Sequence, residues 1–231
     1  MEQLMQREAV LEHAPNATIN QGASQTHLVV FESRREAIFK PFSGQNPAAC
    51  AGYQQDPVEA VLHEVAAWRL AATMGAPWDQ LVPAAVLRAL PLLEGGALVN
   101  KRRGMPDTQV FEDARAQADA AGFWDSLVGQ QDRHATNFRY DAEPRSLALI
   151  DHAFSFALPG HHSNGAIFGS RRHAEGRQNL TEAEMQALDA ILGSGDLHGL
   201  RNYILEDRAD AFEARARKML ETKMLMAPGV F

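Results

Sequence analysis

Three side chains carry the chemistry to which this sequence is suited: Asp132, Asn137 and Asp151. Asp132 opens the run Asp132-Arg133-His134-Ala135-Thr136-Asn137, so the acid and the amide stand five positions apart. A polar turn from Asp141 to Arg145 follows. An apolar run, Leu147-Ala148-Leu149-Ile150, then ends on Asp151. Two short strands joined by that turn would bring all three side chains to one edge of a small sheet. Two carboxylates and an amide oxygen gathered there suit a hard cation such as magnesium, which keeps several waters and bridges substrate phosphates.

The rest of the chain must position that edge. Residues 1–16 are expected to form a short helix ended by Pro15, and 18–42 a β segment. Within it Thr26–Phe31 and Glu36–Pro41 are the strands, with Glu32–Arg35 as their turn. Gly22-Ala23-Ser24-Gln25 precedes the first strand, and Lys40 closes the second. Residues 43–55 have loop composition, with Cys50 as a bystander. The clearest helix is 56–74: Asp56 is its N-cap, Pro57 fits the first turn, Glu59 completes a capping box, and Gly75 stops it. A strand is expected over Ala85–Leu90, a turn at Gly95-Gly96, and a strand over Ala97–Asn100. Phe111–Val128 is expected as one helix. Residues 160–179 are rich in Gly, His and Arg and are expected to be a loop. Helices follow over 181–192, 197–204 and 207–224, the first opened by a Thr181–Glu184 capping box.

Composition sets the limits. The chain has 231 residues, enough for one domain or one two-lobed unit, and 45% of them are hydrophobic. Its net charge of −7 gives no broad footprint for nucleic acid or an anionic membrane. A single cysteine excludes an internal disulfide and favours a reducing, cytoplasmic setting. The first 14 residues carry Glu2, Glu8 and Glu12 and have neither signal-peptide nor membrane-span character. Only four lysines stand against eighteen arginines. Lys40 is one of the four, and a compact ammonium suits close contact with phosphate oxygens.

The string "DRHATN" followed by "LALIDHAFSF" resembles the catalytic loop and metal-binding segment of the phosphatidylinositol 3-/4-kinase-like superfamily, which includes lipid kinases, HipA-type kinases and Fam20-type secretory kinases. The likeness spans roughly residues 20–175 and is strongest at 125–156. It implies an α+β, two-lobed protein-kinase-like fold: a single domain over 1–231, a β-rich N-lobe at 15–98 and a mostly helical C-lobe at 99–225. It implies an ATP- and magnesium-dependent phosphotransferase. Asp132 would take the proton of the acceptor hydroxyl, His134 would stabilise the transferred group, and Asn137 and Asp151 would hold magnesium. Lys40, in "FKP", would pair with the nucleotide phosphates and with a helix glutamate, Glu64 or, as the alternative, Glu59. Gly22, Ser24 and Gln25 would cover the phosphates, unless they form an ordinary turn, and the hinge near Val99 would meet the adenine. Asp125 either braces the loop or is a helix-end charge. Gln130 and Ala153 depart from the pattern, which more often has asparagine and glycine there. That leaves a nucleotide-binding pseudokinase as an alternative, and AMP transfer as another. Zinc on His134 and His152 lacks a supporting motif. The acceptor is expected to be a protein or small molecule rather than a lipid, without stable membrane association.

Overall fold

The computed structural model describes residues 1–15, 24–90, 93–160 and 167–227. A five-stranded antiparallel sheet makes up most of the first half, from β1 (Val10–Pro15), β2 (His27–Phe31), β3 (Glu36–Pro41), β4 (Ala85–Ala89) and β5 (Gly95–Asn100) in the order β1-β2-β3-β5-β4. Alternation along β3 assigns its faces. Ala37 and Phe39 are fully buried on one side with Val29, Phe31, Leu98 and Met5, and Ile38 and Lys40 point to the other.

The N-terminal helix is shorter than the sequence pattern suggests. It is α1 (Glu2–Arg7), and the chain then turns into edge strand β1, paired from Val10↔Phe31 to Pro15↔His27. Pro15, which lacks an N–H, sits at the end of an outer strand, where the ladder tolerates it. Met5 of α1 lies in the sheet's core, so this lobe takes in residues upstream of the expected start at 15. It runs on through β5 to Asn100 rather than ending at 98. Gly95 and Gly96 also differ from expectation: they begin β5 instead of making the turn. A Cβ on Gly96 would lie 2.3 Å from the Lys40 carbonyl oxygen, so the close approach of β5 to β3 requires glycine there.

Helices connect the sheet's halves. Residues 43–55, expected to be loop throughout, contain α2 (Pro47–Gly52), whose first N–H groups are capped by the Asn46 side chain. The expected long helix is α3 (Pro57–Met74). Asp56 accepts from the N–H groups of Val58 and Glu59, and the Glu59 carboxylate accepts from the Asp56 N–H. Val61 and Val65 then pack α3 under Ala85, Ala97 and Val99 of the sheet.

The second half is mostly helical. After the short α4 (Trp78–Leu81), the expected single helix at 111–128 is two, α5 (Val110–Asp113) and α6 (Arg115–Val128), broken at Ala114. A two-stranded hairpin, β6 (Phe138–Asp141) and β7 (Ser146–Leu149), follows. Then come α7 (Ile167–Ala174), within the stretch expected to be loop, α8 (Glu182–Gly193) and α9 (Glu206–Thr222). The stretch expected as a helix at 197–204 is a kinked 3-10 turn. Phe123, Trp124, Phe138, Phe168, Leu188 and Phe212 form the core of this lobe.

Arg208 of α9 ties the lobes together. It is buried and donates to the Glu59 carboxylate at 2.8 Å, to the Phe156 carbonyl at 2.9 Å and to the Gln54 carbonyl. Removing one partner leaves the other charge buried and unpaired. Arg208→Ala is therefore expected to lower the unfolding free energy by about 3–5 kcal/mol in urea titration. A loss below about 1 kcal/mol, the range of an exposed ion pair, would contradict this role.

Candidate active site

Lys40 and Ile38 share the face of β3 that looks away from the sheet's core. Across the ladder Ile38 is paired with Leu28 on one side and Val99 on the other, so three apolar side chains form a row across three strands. Ile150, at the end of β7, faces them across a hollow of about 400 Å³. Its walls also include Ser24, Lys40, Glu64 and Asp151, with the cationic side chains of Lys101, Arg102 and Arg139. An apolar slot beside a lysine and two carboxylates can take a flat base at one end and a charged, phosphate-like tail at the other.

Lys40 is the centre of the hollow's polar end. Its Nζ lies 2.5 Å from Glu64 Oε1 and 2.9 Å from Asp151 Oδ1. The Lys40 side chain is 9% exposed and that of Glu64 1%, whereas that of Asp151 is 37% exposed. Burial favours the neutral amine, but Asp151 and Glu64 outweigh it and hold the ammonium above the usual lysine range. For Glu64 burial wins over Lys40 and raises the carboxyl. For Asp151 burial is outweighed by Lys40, with Arg133 adding to it, and the carboxyl is lowered. Glu64 Oε1 also accepts from the His152 N–H at 3.0 Å, so one oxygen joins the helix, the lysine and the segment that carries Asp151.

Asp151 has φ of +60°, in the left-handed region that Asp tolerates better than most residues. That turn lifts the chain out of β7 and aims the carboxylate at Lys40. Gln130 braces it: its side-chain N–H donates to the Asp151 carbonyl at 3.0 Å, and its oxygen accepts from the Asp132 N–H at 3.1 Å. The residue that departs from the pattern is thus the tie between the loop and the Asp151 segment.

The loop 132–137 is wound around buried Arg133. Arg133 pairs with Asp125 at 3.1 Å and donates to the Ile150 carbonyl at 2.5 Å and to the Asn137 carbonyl. Its remaining nitrogen lies 3.3 Å from His152 Nε2. The Asn137 amide donates to the Asp132 carbonyl at 2.8 Å and lies 3.4 Å from its Oδ2. Asp132 Oδ1 accepts from the Tyr53 hydroxyl at 3.2 Å, and His134 Nε2 lies 3.6 Å from Oδ2. Burial raises the Asp132 carboxyl, against the pull of His134 and the Tyr53 hydrogen bond.

The structure therefore brings Ser24, Lys40, Glu64, Val99 and Asp151 around one hollow. Asp132, His134 and Asn137 are grouped together beside it and do not form its walls. Gln25 is exposed, with its N–H on the Gly44 carbonyl at 2.7 Å, and does not line the hollow either. Gly22 lies outside the described residues. Glu59 is occupied by its cap and by Arg208, so the helix carboxylate on Lys40 is Glu64. His134 is exposed while His152 is buried against Trp124, so the two are not arranged to share a zinc ion. Tyr53 and Arg139 went unread in the sequence. Tyr53 sat in a segment of loop composition, and Arg139 is indistinguishable by pattern from a strand's solvent charge.

The donor set suits a hard cation. Asn137 spends its amide N–H groups on Asp132, leaving its oxygen to accept, and Asp151 keeps its carboxylate partly open toward the hollow. Among the described residues no three His, Cys, Asp or Glu side chains form a closed metal cage. Magnesium is usually held through one or two protein oxygens plus phosphates and water, and needs no such cage.

No protein-family model matches the chain, and no curated protein matches it in sequence. Solved structures do match in shape. The crystal structure of the Golgi casein kinase superposes with a TM-score of 0.60 at 13% identity, covering 95% of this chain and 74% of that one. The same kinase with Mn/ADP bound gives a TM-score of 0.59 at 12% identity, with the same coverage. The fold is protein-kinase-like. Its β-rich N-lobe holds the lysine and its helix glutamate, and its helical C-lobe holds the loop and the Asp151 segment. At this identity the likeness concerns the fold alone.

Asp125, the loop's brace, gives this kinase-like fold a testable pH signature. Burial outweighs Arg133 and pushes its carboxyl from 3.8 up to about 6. A raised acid contributes stability that is full below the unfolded value and is lost as pH rises through the folded one. Relative to wild type, Asp125→Asn should therefore gain stability as pH rises from about 4 to about 6. Urea unfolding of both proteins across that window checks the sign, and a relative loss would show that Arg133, not burial, dominates.

Proposed function

We propose that this chain is an ATP- and magnesium-dependent phosphotransferase of the phosphatidylinositol 3-/4-kinase-like superfamily, related to the HipA-type and Fam20-type kinases, with a protein or small molecule as acceptor. The carrying observation is Lys40 held between Glu64 and Asp151 at the head of an apolar slot. A structural neighbour with Mn/ADP bound supports nucleotide and divalent-metal use.

Each residue then has a task. Leu28, Ile38, Val99 and Ile150 hold the base. Lys40, aimed by Glu64, places positive charge on the phosphate oxygens, with Ser24 beside them. Asn137 and Asp151 would hold magnesium, which when bound neutralises charge on the phosphates and fixes their orientation. Asp132 orients the acceptor hydroxyl and takes its proton, a task its burial-raised basicity favours. His134, next to Asp132, offers a donor to the group in flight.

The test is incubation with γ-labelled and α-labelled ATP plus Mg²⁺ against a cell extract. Transfer of the γ label alone is expected. Transfer of the α label would instead mean AMP transfer, and ATP binding without transfer would mean a pseudokinase. Lys40→Ala is expected to weaken Mg·ATP binding about 10- to 100-fold, the equivalent of roughly 1.5–3 kcal/mol for a charge-assisted contact. Asp132→Ala should lower turnover about 10²- to 10⁴-fold with little change in affinity, as removal of a general base does.

A further inference from the structure

Tyr53 follows the short helix α2, in the stretch between Lys40 and the start of α3. It does not project freely. Its ring stacks on Phe154 with centroids 4.0 Å apart and planes 24° from parallel. Its N–H donates to the Cys50 carbonyl at 3.0 Å, and Cys50, Ala60, Ala153 and Phe154 form a small buried cluster beneath it. The next residues are fixed as well. Gln54 gives its carbonyl to Arg208, and the Gln55 side chain donates to the Ser155 carbonyl at 3.2 Å. Tyr53 is thus held by the same segment that carries Asp151.

What this scaffold presents is one hydroxyl, donating to Asp132 Oδ1 at 3.2 Å. A general base must lie within about 2.6–3.2 Å of the oxygen whose proton it takes. The Tyr53 hydroxyl meets that requirement on the very carboxylate assigned to the acceptor. The packing does not need the hydroxyl, because the stack on Phe154 would form with phenylalanine. The Asp132 carboxylate also accepts from the Asn137 amide at 3.4 Å, and His134 Nε2 lies 3.6 Å from it.

We infer that Tyr53 is a phosphoryl acceptor in cis, its hydroxyl standing in the acceptor position of the active site. This rests on the phosphotransferase reading above. In the step, the Tyr53 oxygen attacks the γ-phosphorus of bound ATP, and a new P–O bond forms as the bond to the β,γ-bridging oxygen breaks. ADP leaves, the phenolic proton passes to Asp132, and Tyr53 becomes O-phosphotyrosine. Burial, with Asp132 and Asp151 adding to it, raises the phenol to about 12. The hydroxyl therefore enters the reaction protonated, and the base has a proton to remove.

The experiment incubates the full chain with γ-labelled ATP and Mg²⁺ over a wide range of protein concentration, with ADP release measured in parallel. Trypsin does not cleave Lys40–Pro41, so Tyr53 is recovered in the peptide from Glu36 to Arg69, in which Ser43 is the only other hydroxyl-bearing side chain. Label is expected on Tyr53, with a fraction modified per unit time that does not depend on protein concentration. Tyr53→Phe should remove the label from that peptide while circular dichroism stays unchanged, and Asp132→Asn should abolish it. ADP release with Tyr53 unmodified would overturn this inference and leave the phosphotransferase reading standing. A fraction labelled per unit time that rises in proportion to protein concentration would overturn transfer in cis. No ADP release from the isolated chain, with release once a cell extract is added, would overturn this inference alone; no ADP release under either condition would overturn both.

Discussion

The Lys40 ammonium, buried between Glu64 of the β-rich lobe and Asp151 of the helical lobe, is the contact on which the rest of the structure is set. An unpaired charge there would cost several kcal/mol, so the lysine must have partners, and the fold supplies one from each side. Glu64 has the same need and meets it twice, with Lys40 and with the His152 N–H. Lobe position, helix rotation and the left-handed turn at Asp151 are therefore one coupled solution. The pairing does not hold Asp151 inside the protein. Its carboxylate stays partly open to the hollow, which leaves it able to exchange its lysine contact for a cation and leaves the lysine able to meet an anion.

Arg133 solves the same problem for the loop. Its guanidinium is fully buried, and its fork meets the Asp125 carboxylate, two main-chain carbonyls and His152. A planar five-donor group can serve those partners together, as a lysine could not. The carbonyls it holds belong to Asn137 and Ile150, the residues on either side of the β6–β7 hairpin. The loop that carries Asp132 and the strand end that carries Asp151 are in this way clamped to one ion. His152, beside two cations and buried, is held neutral, with burial first and Arg133 and then Lys40 lowering it well below the usual histidine range. His63 is likewise depressed, to about 3, by burial and by Arg208.

Much of this could be read from the residues. The capping box at Asp56–Glu59, the β3 strand that carries Lys40 and the hairpin between Asn137 and Asp151 follow from local rules: a cap, a period of two, a turn. The sequence favours Glu64 over Glu59, whose capping box accounts for it, and Glu64 is the one that meets Lys40. What separates them is the direction each faces, since Glu59 is spent on its own cap and on an arginine 149 residues away. The strand at 10–15 has no local signature because, among the described residues, it pairs with one other strand, and edge pairing leaves little trace in periodicity. Gly95 and Gly96 point to a turn, yet both lie in β5, where Gly96 permits close packing against the Lys40 carbonyl. Tyr53 was invisible for a similar reason, being brought to Asp132 by contacts that are distant in sequence and carry no local signature.

A structure of the protein with ADP and Mn²⁺ bound is the most direct test of the central claim. The account predicts the base among Leu28, Ile38, Val99 and Ile150, the phosphates against Lys40, and Mn²⁺ touching oxygens of Asp151 and Asn137. Nucleotide bound elsewhere on the surface, or saturating ADP that leaves the Lys40–Asp151 pair intact around an empty hollow, would contradict it.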